Sequence, residues 1–550
     1  MAETTNHSSA KTEKLCGKTL VNSFPPYLPA LAISALFLAL LLVWYSLDKT
    51  IPVFDNANHL LKSYVCRDIL LSHQSLIEKT IGISKLGIIY PPLTYLVSAL
   101  FKIALGCSVW VDRLPVILFF CLMCLSTYKL SMRLLKDSAS AAIAIAVVCL
   151  CPLTFSLTHA PGMMEIPLAA LTFTMLWALA SWNENPNGKN LAAVTFSSIA
   201  TALTKQNGII FLIFPLGVVF LQKALKRDWK AASQMLIVGA TSAIALAIWI
   251  ASCFTEWKES MTHWQEGMTQ RDIFSNFTLN MSLYFDSLSF DLTIAWLIIF
   301  LMCAFNWRDM KKILLPLSAC LGGLIVLCLL NWVPQARYLI QGLPFYALLI
   351  SATMVRLWRS KRILARLAVG AVFAIAVCEY AYINFSPYPI RTRPALLVDF
   401  LRLPAPAQSL PCRFPERTDY GLNWIAEAIK EKSAQQSTPP TVCVVPYSEH
   451  INAQSLEYVA LTKGFKILAS ACKDPNLLGF KFDFDDNRMA KTEWFVFEDP
   501  PESEPKIFID AQNAAQCQAM IDSVKNSKEF SLVATKNTFG PHQVSLYKRH

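Results

Sequence analysis

Charge is what this chain has least of. Only 16% of its 550 residues are Asp, Glu, Lys or Arg, while 54% are hydrophobic. A soluble protein of this size carries about a quarter charged residues. Together with apolar runs long enough to cross a bilayer, recurring from residue 28 to 385, that deficit excludes a water-soluble globule. Paired CxxC motifs and His-rich metal spacings are missing too. Cys121 and Cys124 form a lone CxxC inside an apolar run, and most of the sixteen cysteines sit in such runs as small hydrophobes. No basic patch interleaved with aromatics is present, so the net charge of +11 does not point to nucleic acid. Most of that excess lies in short connectors between apolar runs, where positive residues set orientation. No small-residue cleavage site follows the first run, which reads as an uncleaved span rather than a signal peptide.

The candidate spans are Leu28–Leu47, Leu114–Leu130, Ala139–Leu157, Met163–Ala180, Leu191–Leu203, Gly208–Leu221, Met235–Cys253, Leu292–Phe305, Ile313–Leu330, Leu339–Val355 and Leu367–Phe385. That is a polytopic all-α membrane domain of about eleven helices over 28–385, behind a cytoplasmic tail at 1–27. A twelfth apolar stretch, Pro91–Leu105, is decided by charge. Basic connectors at Arg133/Lys136, Lys223/Lys226/Arg227/Lys230, Arg308/Lys311/Lys312 and Arg356/Arg359/Lys361/Arg362 all fall on the cytoplasmic side only if Pro91–Leu105 does not cross. Residues 48–112 then form one outer loop carrying in-plane helices. Asp55, Glu165, Lys205, Arg337 and everything after Phe385 share that outer side.

Composition changes near residue 386. Pro387, Pro389, Pro394, Pro404, Pro406, Pro411 and Pro415 mark a linker, and 386–550 reads as a small extracytoplasmic α/β domain. Its expected helices are Tyr420–Lys432, Ala453–Leu461 and Ala511–Val524. Its expected strands are Thr441–Val445, Phe465–Leu468, Trp494–Phe497, Phe530–Thr535 and Val544–Tyr547. It has no Gly-rich phosphate loop and no nucleophile elbow, which favours a supporting or acceptor-recruiting role. A disulfide among Cys412, Cys443, Cys472 and Cys517 is possible, but the sequence cannot pair them.

Five motifs sit at the outer ends of spans. Phe54-Asp55-Asn56-Ala57-Asn58-His59 offers a carboxylate suited to general base work, or simply a helix-capping acid. Tyr90-Pro91-Pro92-Leu93-Thr94-Tyr95 starts a helix at a defined point, as helix punctuation. Thr204-Lys205-Gln206-Asn207-Gly208 puts a lysine between two apolar runs, where it either snorkels or meets an anion such as a lipid phosphate. Pro161-Gly162-Met163-Met164-Glu165-Ile166-Pro167-Leu168 opens a span with an acid, either a helix N-terminal charge or a site residue. Pro334-Gln335-Ala336-Arg337-Tyr338 supplies an arginine able to pair with a phosphate or with Glu165, and Arg113 is similarly placed.

In this order the motifs resemble the GT-C membrane glycosyltransferases, in particular the protein O-mannosyltransferases and the bacterial aminoarabinose-lipid A transferases. The resemblance covers residues 28–385 and rests on Asp55, Pro91-Pro92-Leu93, Arg113, Glu165-Ile166-Pro167-Leu168, Lys205-Gln206-Asn207-Gly208 and Arg337-Tyr338. The family's Asp-Glu pair is here Asp55-Asn56. With no second carboxylate beside it, metal-independent catalysis is expected and no cofactor. Where some members carry a lysine before the Pro-Pro motif this chain has Tyr90, so either Lys85 stands in for it or that contact is absent.

The resemblance implies an inverting transfer of a sugar from a polyprenyl-phosphate donor to a lipid, glycan or protein hydroxyl on the outer face, with membrane lipids as surroundings. Asp55 is the expected base and Glu165 its companion. Lys205, Arg337, Lys85, Arg113, Tyr90 and His59 are the expected substrate-binding residues, and Trp257–Asp291 a candidate lid. The implied setting is a bacterial inner membrane with the site facing the periplasm. Transporters and flippases are the rival class. They bury ionisable groups near the bilayer midplane and carry internal repeats. The spans here are nearly charge-free in their middles, and no repeat is evident.

Overall fold

The computed structural model describes residues 25–86, 90–266, 274–275, 277–278, 311–329, 336–386, 415–445, 451–471, 491–499, 511–538 and 543–550. The chain opens with α1 (Leu28–Leu47), then three helices that follow it before the next long apolar one: α2 (Phe54–Leu71), α3 (Leu76–Leu86) and α4 (Leu93–Leu105). A run of membrane-type helices follows: α5 (Val109–Leu135), α6 (Ser138–Leu150), α7 (Pro152–Thr158), α8 (Glu165–Glu184), α9 (Gly188–Thr204), α10 (Gly208–Leu225) and α11 (Trp229–Ser252). Then come α12 (Phe254–Glu266), α13 (Leu314–Leu329), a 3-10 helix (Ala336–Gly342), α14 (Leu343–Arg359) and α15 (Ile363–Phe385).

Among the described residues seven helices are long and apolar enough to cross a membrane, and eight if α6 and α7 count as one broken span. This is an integral membrane protein. Ten of the eleven expected spans coincide with described helices, and Leu292–Phe305 lies outside the described residues. The expected single span Ala139–Leu157 is two helices bent by 61°. Pro152 stands at the first position of α7, where it lacks the N–H to continue α6. At 13 residues α4 reaches only about 20 Å, short of the ~30 Å hydrocarbon core.

The bundle sorts its helices by burial. α8 and α14 are apolar on all sides and enclosed by their neighbours, whereas α1, α11 and α15 leave most of their surface outward. Trp44, Tyr45, Phe173, Trp182 and Phe345 fill the largest core cluster.

The C-terminal part contains α16 (Leu422–Lys432), α17 (Ala453–Thr462) and α18 (Ala511–Asn526) around five strands. These are β1 (Thr441–Val445), β2 (Leu468–Ala471), β3 (Trp494–Asp499), β4 (Phe530–Asn537) and β5 (Gln543–Arg549). The sheet order is β2-β1-β3-β5-β4. β1 runs parallel to both β2 and β3, and β5 antiparallel to β3 and β4. β2 begins three residues later than expected. The N–H of Phe465 is taken by Ala460 O in the bond that closes α17, so it is lost to the sheet.

This small mixed sheet does not hang free of the bundle. Ala57, Leu60 and Tyr64 of α2 share one apolar cluster with Leu422, Ile425, Leu456, Tyr458 and Val459. The other side of α2 packs on α4 through Cys66, Tyr95 and Ala99. α2 is therefore held between the two halves of the molecule.

Candidate active site

Four segments far apart in sequence deliver the ionisable groups to one place. Asp55 lies in the first turn of α2 and Glu165 in the first turn of α8, where the helix N-terminus favours a carboxylate. Lys205 stands in extended backbone at the end of α9. Arg337 is carried by the 3-10 helix. The Lys205 Nζ donates to Glu165 Oε1 at 2.7 Å, and the Arg337 Nε lies 3.6 Å from the same oxygen. The Arg337 Nη1 reaches Asp55 Oδ2 at 3.4 Å. One arginine therefore bridges both carboxylates.

Two glycines make the assembly possible. Gly162 has φ +93, and a Cβ there would stand 2.6 Å from the Asn56 carbonyl oxygen and 3.0 Å from Leu60 Cγ. The loop before α8 can thus abut the first turn of α2, which brings Glu165 toward Asp55. A Cβ on Gly208 would stand 2.3 Å from Thr201 O, so α10 starts tightly against the end of α9 and fixes Lys205 at the corner. Just ahead of Asp55, Phe54 holds φ +46, a left-handed conformation costing about 1–3 kcal/mol in a non-glycine residue.

Burial separates the two acids. The Glu165 side chain is 1% exposed and that of Asp55 59%. Glu165 is enclosed with its two cations, and Asp55 is the acid open to solvent.

Aromatic rings line the cations. Lys205 Nζ lies 5.1 Å from the Tyr90 ring centroid and 4.8 Å from that of Tyr338, over which Arg337 also sits at 5.5 Å. His59 is buried one turn beyond Asp55. Its Nδ1 is 2.9 Å from Tyr95 Oη, and its ring meets Tyr90 edge to face. Burial pushes the imidazole pKa down to about 4, against the opposing pull of Asp55, so His59 is neutral at neutral pH.

Lys62 completes the face. Asp55, His59 and Lys62 recur at helical spacing along α2. Lys62 Nζ lies 5.9 Å from the Tyr95 ring centroid and makes no hydrogen bond or ion pair with any described residue. Burial lowers its pKa, and the opposing charge of Asp55 offsets only part of that. Among the described residues two carboxylates thus face three cations.

The structure brings together Asp55, His59, Tyr90, Glu165, Lys205 and Arg337, and leaves two expected residues elsewhere. Arg113 donates to the Tyr45 carbonyl at 2.6 Å, pairs with Asp48 Oδ2 at 3.3 Å and stacks over Tyr45 and Trp110. It pins the end of α1. Lys85 is exposed at the end of α3, near Cys253. Lys62 was not among the expected residues, though the periodicity from Asp55 could have found it. Tyr95 ends the Tyr90–Tyr95 motif, which carried no expectation of its contact with His59. Among the described residues no three His, Cys, Asp or Glu side chains gather as metal ligands would. Of the expected lid Trp257–Asp291 only the start, in α12, and four residues near 276 fall within the described residues.

No family model and no curated protein matches the sequence. Solved structures match the fold, two of them of one protein. The crystal structure of ArnT from Cupriavidus metallidurans bound to undecaprenyl phosphate aligns with TM-score 0.59 and 15% identity, over 93% of this chain and 97% of that one. The apo structure of the same protein aligns with TM-score 0.56 and 13% identity, over 94% and 98%. Over nearly its whole length the chain therefore has the fold of ArnT.

Proposed function

We propose that this protein is a membrane glycosyltransferase that moves a sugar from a polyprenyl-phosphate donor to an acceptor hydroxyl on the outer face. The observation that carries the reading is the charge balance beside Asp55: an exposed carboxylate next to a cluster with one cation, Lys62, that pairs with no described residue. Such a cluster is neutralised by the phosphate of a lipid donor. ArnT, whose fold the chain shares, is bound to undecaprenyl phosphate in one of its structures.

Asp55 takes the proton of the acceptor hydroxyl as its oxygen attacks the anomeric carbon. The bond from that carbon to the phosphate oxygen breaks on the opposite face, so the configuration inverts. The electron pair leaves with the lipid phosphate. Lys205, Arg337 and Lys62 offset the charge that develops there, and they are already oriented by Glu165 and the tyrosines before substrate arrives. Arg113, engaged with Asp48, has a structural role in this reading, and Lys85 none.

The outer location is supported by the basic connectors on the other end of the bundle and by Cys443, which is disulfide-bonded in the C-terminal sheet. Disulfides persist in the periplasm and other oxidising compartments. A bacterial inner membrane with the site facing the periplasm fits both.

The test is Asp55→Asn in membranes supplied with a radiolabelled polyprenyl-phosphate sugar. Loss of transfer by about 10²-fold or more is expected, with donor binding retained. Transfer near the wild-type rate removes Asp55 from the mechanism. Retained donor binding with neither transfer nor hydrolysis by the unaltered protein, alongside movement of the lipid across vesicles, replaces the transferase with a transporter.

A further inference from the structure

One carboxylate joins the two halves of the molecule directly behind the candidate site. Asp112, in the first turn of α5, is buried in an ion pair with Lys102 of α4. The Lys102 Nζ also donates to Ser63 Oγ of α2 at 2.7 Å. The hydroxyl of Tyr458, on α17 of the C-terminal domain, donates to Asp112 Oδ2 at 2.7 Å. Tyr64 of α2 points at the same oxygen from 3.4 Å, and its ring meets that of Tyr458 edge to face at 6.2 Å. Four elements thus converge on one acid, and both members of the ion pair have side chains with no exposure.

A second contact lies on the same face of α17. Ser455, three residues before Tyr458, shares its single hydroxyl proton between the Pro52 carbonyl at 3.0 Å and Asn452 Oδ1 of its own helix cap at 2.8 Å. Pro52 is three residues ahead of Asp55, and the strained Phe54 lies between them. One face of one C-terminal helix therefore grips α2 at its entry, through Ser455, and further along, through Tyr458 and Asp112. The opposite face of α2 carries Asp55, His59 and Lys62. A buried ion pair is close to neutral for stability against an apolar replacement, so its contribution here is a fixed arrangement rather than net free energy.

We infer that Ser455 and Tyr458 are positioning residues for the transfer, and that the C-terminal domain completes the site by holding the Asp55 end of α2 in place. This rests on Asp55 as the base. A left-handed Phe54 relaxes if Pro52 is released, and a shift of about 1 Å in a base costs up to 10²-fold in rate. Neither residue touches substrate, so donor affinity is expected to stay put.

The experiment uses the full-length protein in nanodiscs as Ser455→Ala, Tyr458→Phe, their combination, Ser455→Thr and Asp55→Asn. Turnover per folded molecule is measured with the radiolabelled donor. In parallel, the distance between spin labels at exposed Asn58 on α2 and exposed Leu221 on α10 is read by electron-spin resonance. In the combined variant kcat is expected to fall about tenfold to a hundredfold, with donor KM within a factor of about two. Ser455→Thr, which keeps the hydroxyl, is expected to restore most of the loss of Ser455→Ala, and the label distance to broaden only where kcat falls. An unchanged kcat, an unchanged distance distribution, or a loss confined to folded yield overturns the inference. If Asp55→Asn itself transfers normally, the base assignment fails, and the distance measurement alone still decides whether the C-terminal helix holds α2.

Discussion

Asp55 and Glu165 are both acids at the first turn of a helix, yet the structure asks opposite things of them. Asp55 is mostly exposed, and its pair with Arg337 at 3.4 Å is a surface contact worth at most about 1 kcal/mol. Asp55→Asn is therefore expected to leave thermal stability nearly unchanged while abolishing transfer. Glu165 is enclosed and holds two cations by one oxygen. Removing one partner of a buried pair leaves the other charge uncompensated, at a cost of about 3–5 kcal/mol. Glu165→Gln should lower the melting temperature measured by intrinsic fluorescence in detergent, and should lose transfer together with stability. A Glu165→Gln protein as stable as the unaltered one would mean that Lys205 and Arg337 find other partners and that the wall is not built on this acid.

At the scale of elements, Gly162 and Gly106 make a controlled pair. Both have positive φ, +93 and +83, so an alanine at either is strained, on the order of 1–3 kcal/mol. A Cβ on Gly106 meets nothing within 4 Å, whereas one on Gly162 runs into the first turn of α2. Gly162→Ala is expected to lose kcat well beyond its loss of stability, and Gly106→Ala to lose stability alone, as read from paired activity and melting measurements. Equal behaviour would mean that the approach of this loop to α2 does not matter for Asp55. The same contrast explains what the sequence could and could not reveal. Helix positions were legible because apolar runs and prolines write them locally: α1 begins and ends where hydropathy puts it, and Asp55, His59 and Lys62 share a face by spacing alone. Of the partners across the bundle, the sequence offers Arg337 with Glu165, as the alternative to a phosphate, and the others are not legible in it. Arg113 and Arg337 look alike in sequence, each an arginine near the outer end of a span. Only folding reveals that Asp48, just past α1, captures the first and leaves the second to bridge Asp55 and Glu165. The pairing of Lys205 with Glu165 spans 40 residues and has no local signature.

At the scale of the whole molecule the two halves meet through α17, and one group on that helix makes stability depend on pH. Glu457 lies between Ser455 and Tyr458 in sequence and accepts the N–H of Ala469 in β2 at 2.8 Å, so it fastens α17 to the sheet behind it. Burial raises its pKa from the ordinary 4.5 to about 7, against the lowering effect of that N–H. An acid whose folded pKa is raised keeps its proton in the folded state after the unfolded chain has lost its own. Its contribution to stability is therefore complete below about pH 4.5 and is lost as pH rises through about 7. With the side chain partly exposed, the loss is on the order of 1–2 kcal/mol. Glu457→Gln keeps an acceptor for Ala469 and cannot ionise. Thermal melts of the full-length protein at pH 5, 6.5 and 8 should find the two proteins alike at pH 5 and the variant more stable at pH 8. Parallel melting curves across that range would show that Glu457 stays ionised in the fold, and that the seam between the membrane bundle and the C-terminal domain does not respond to pH through this residue.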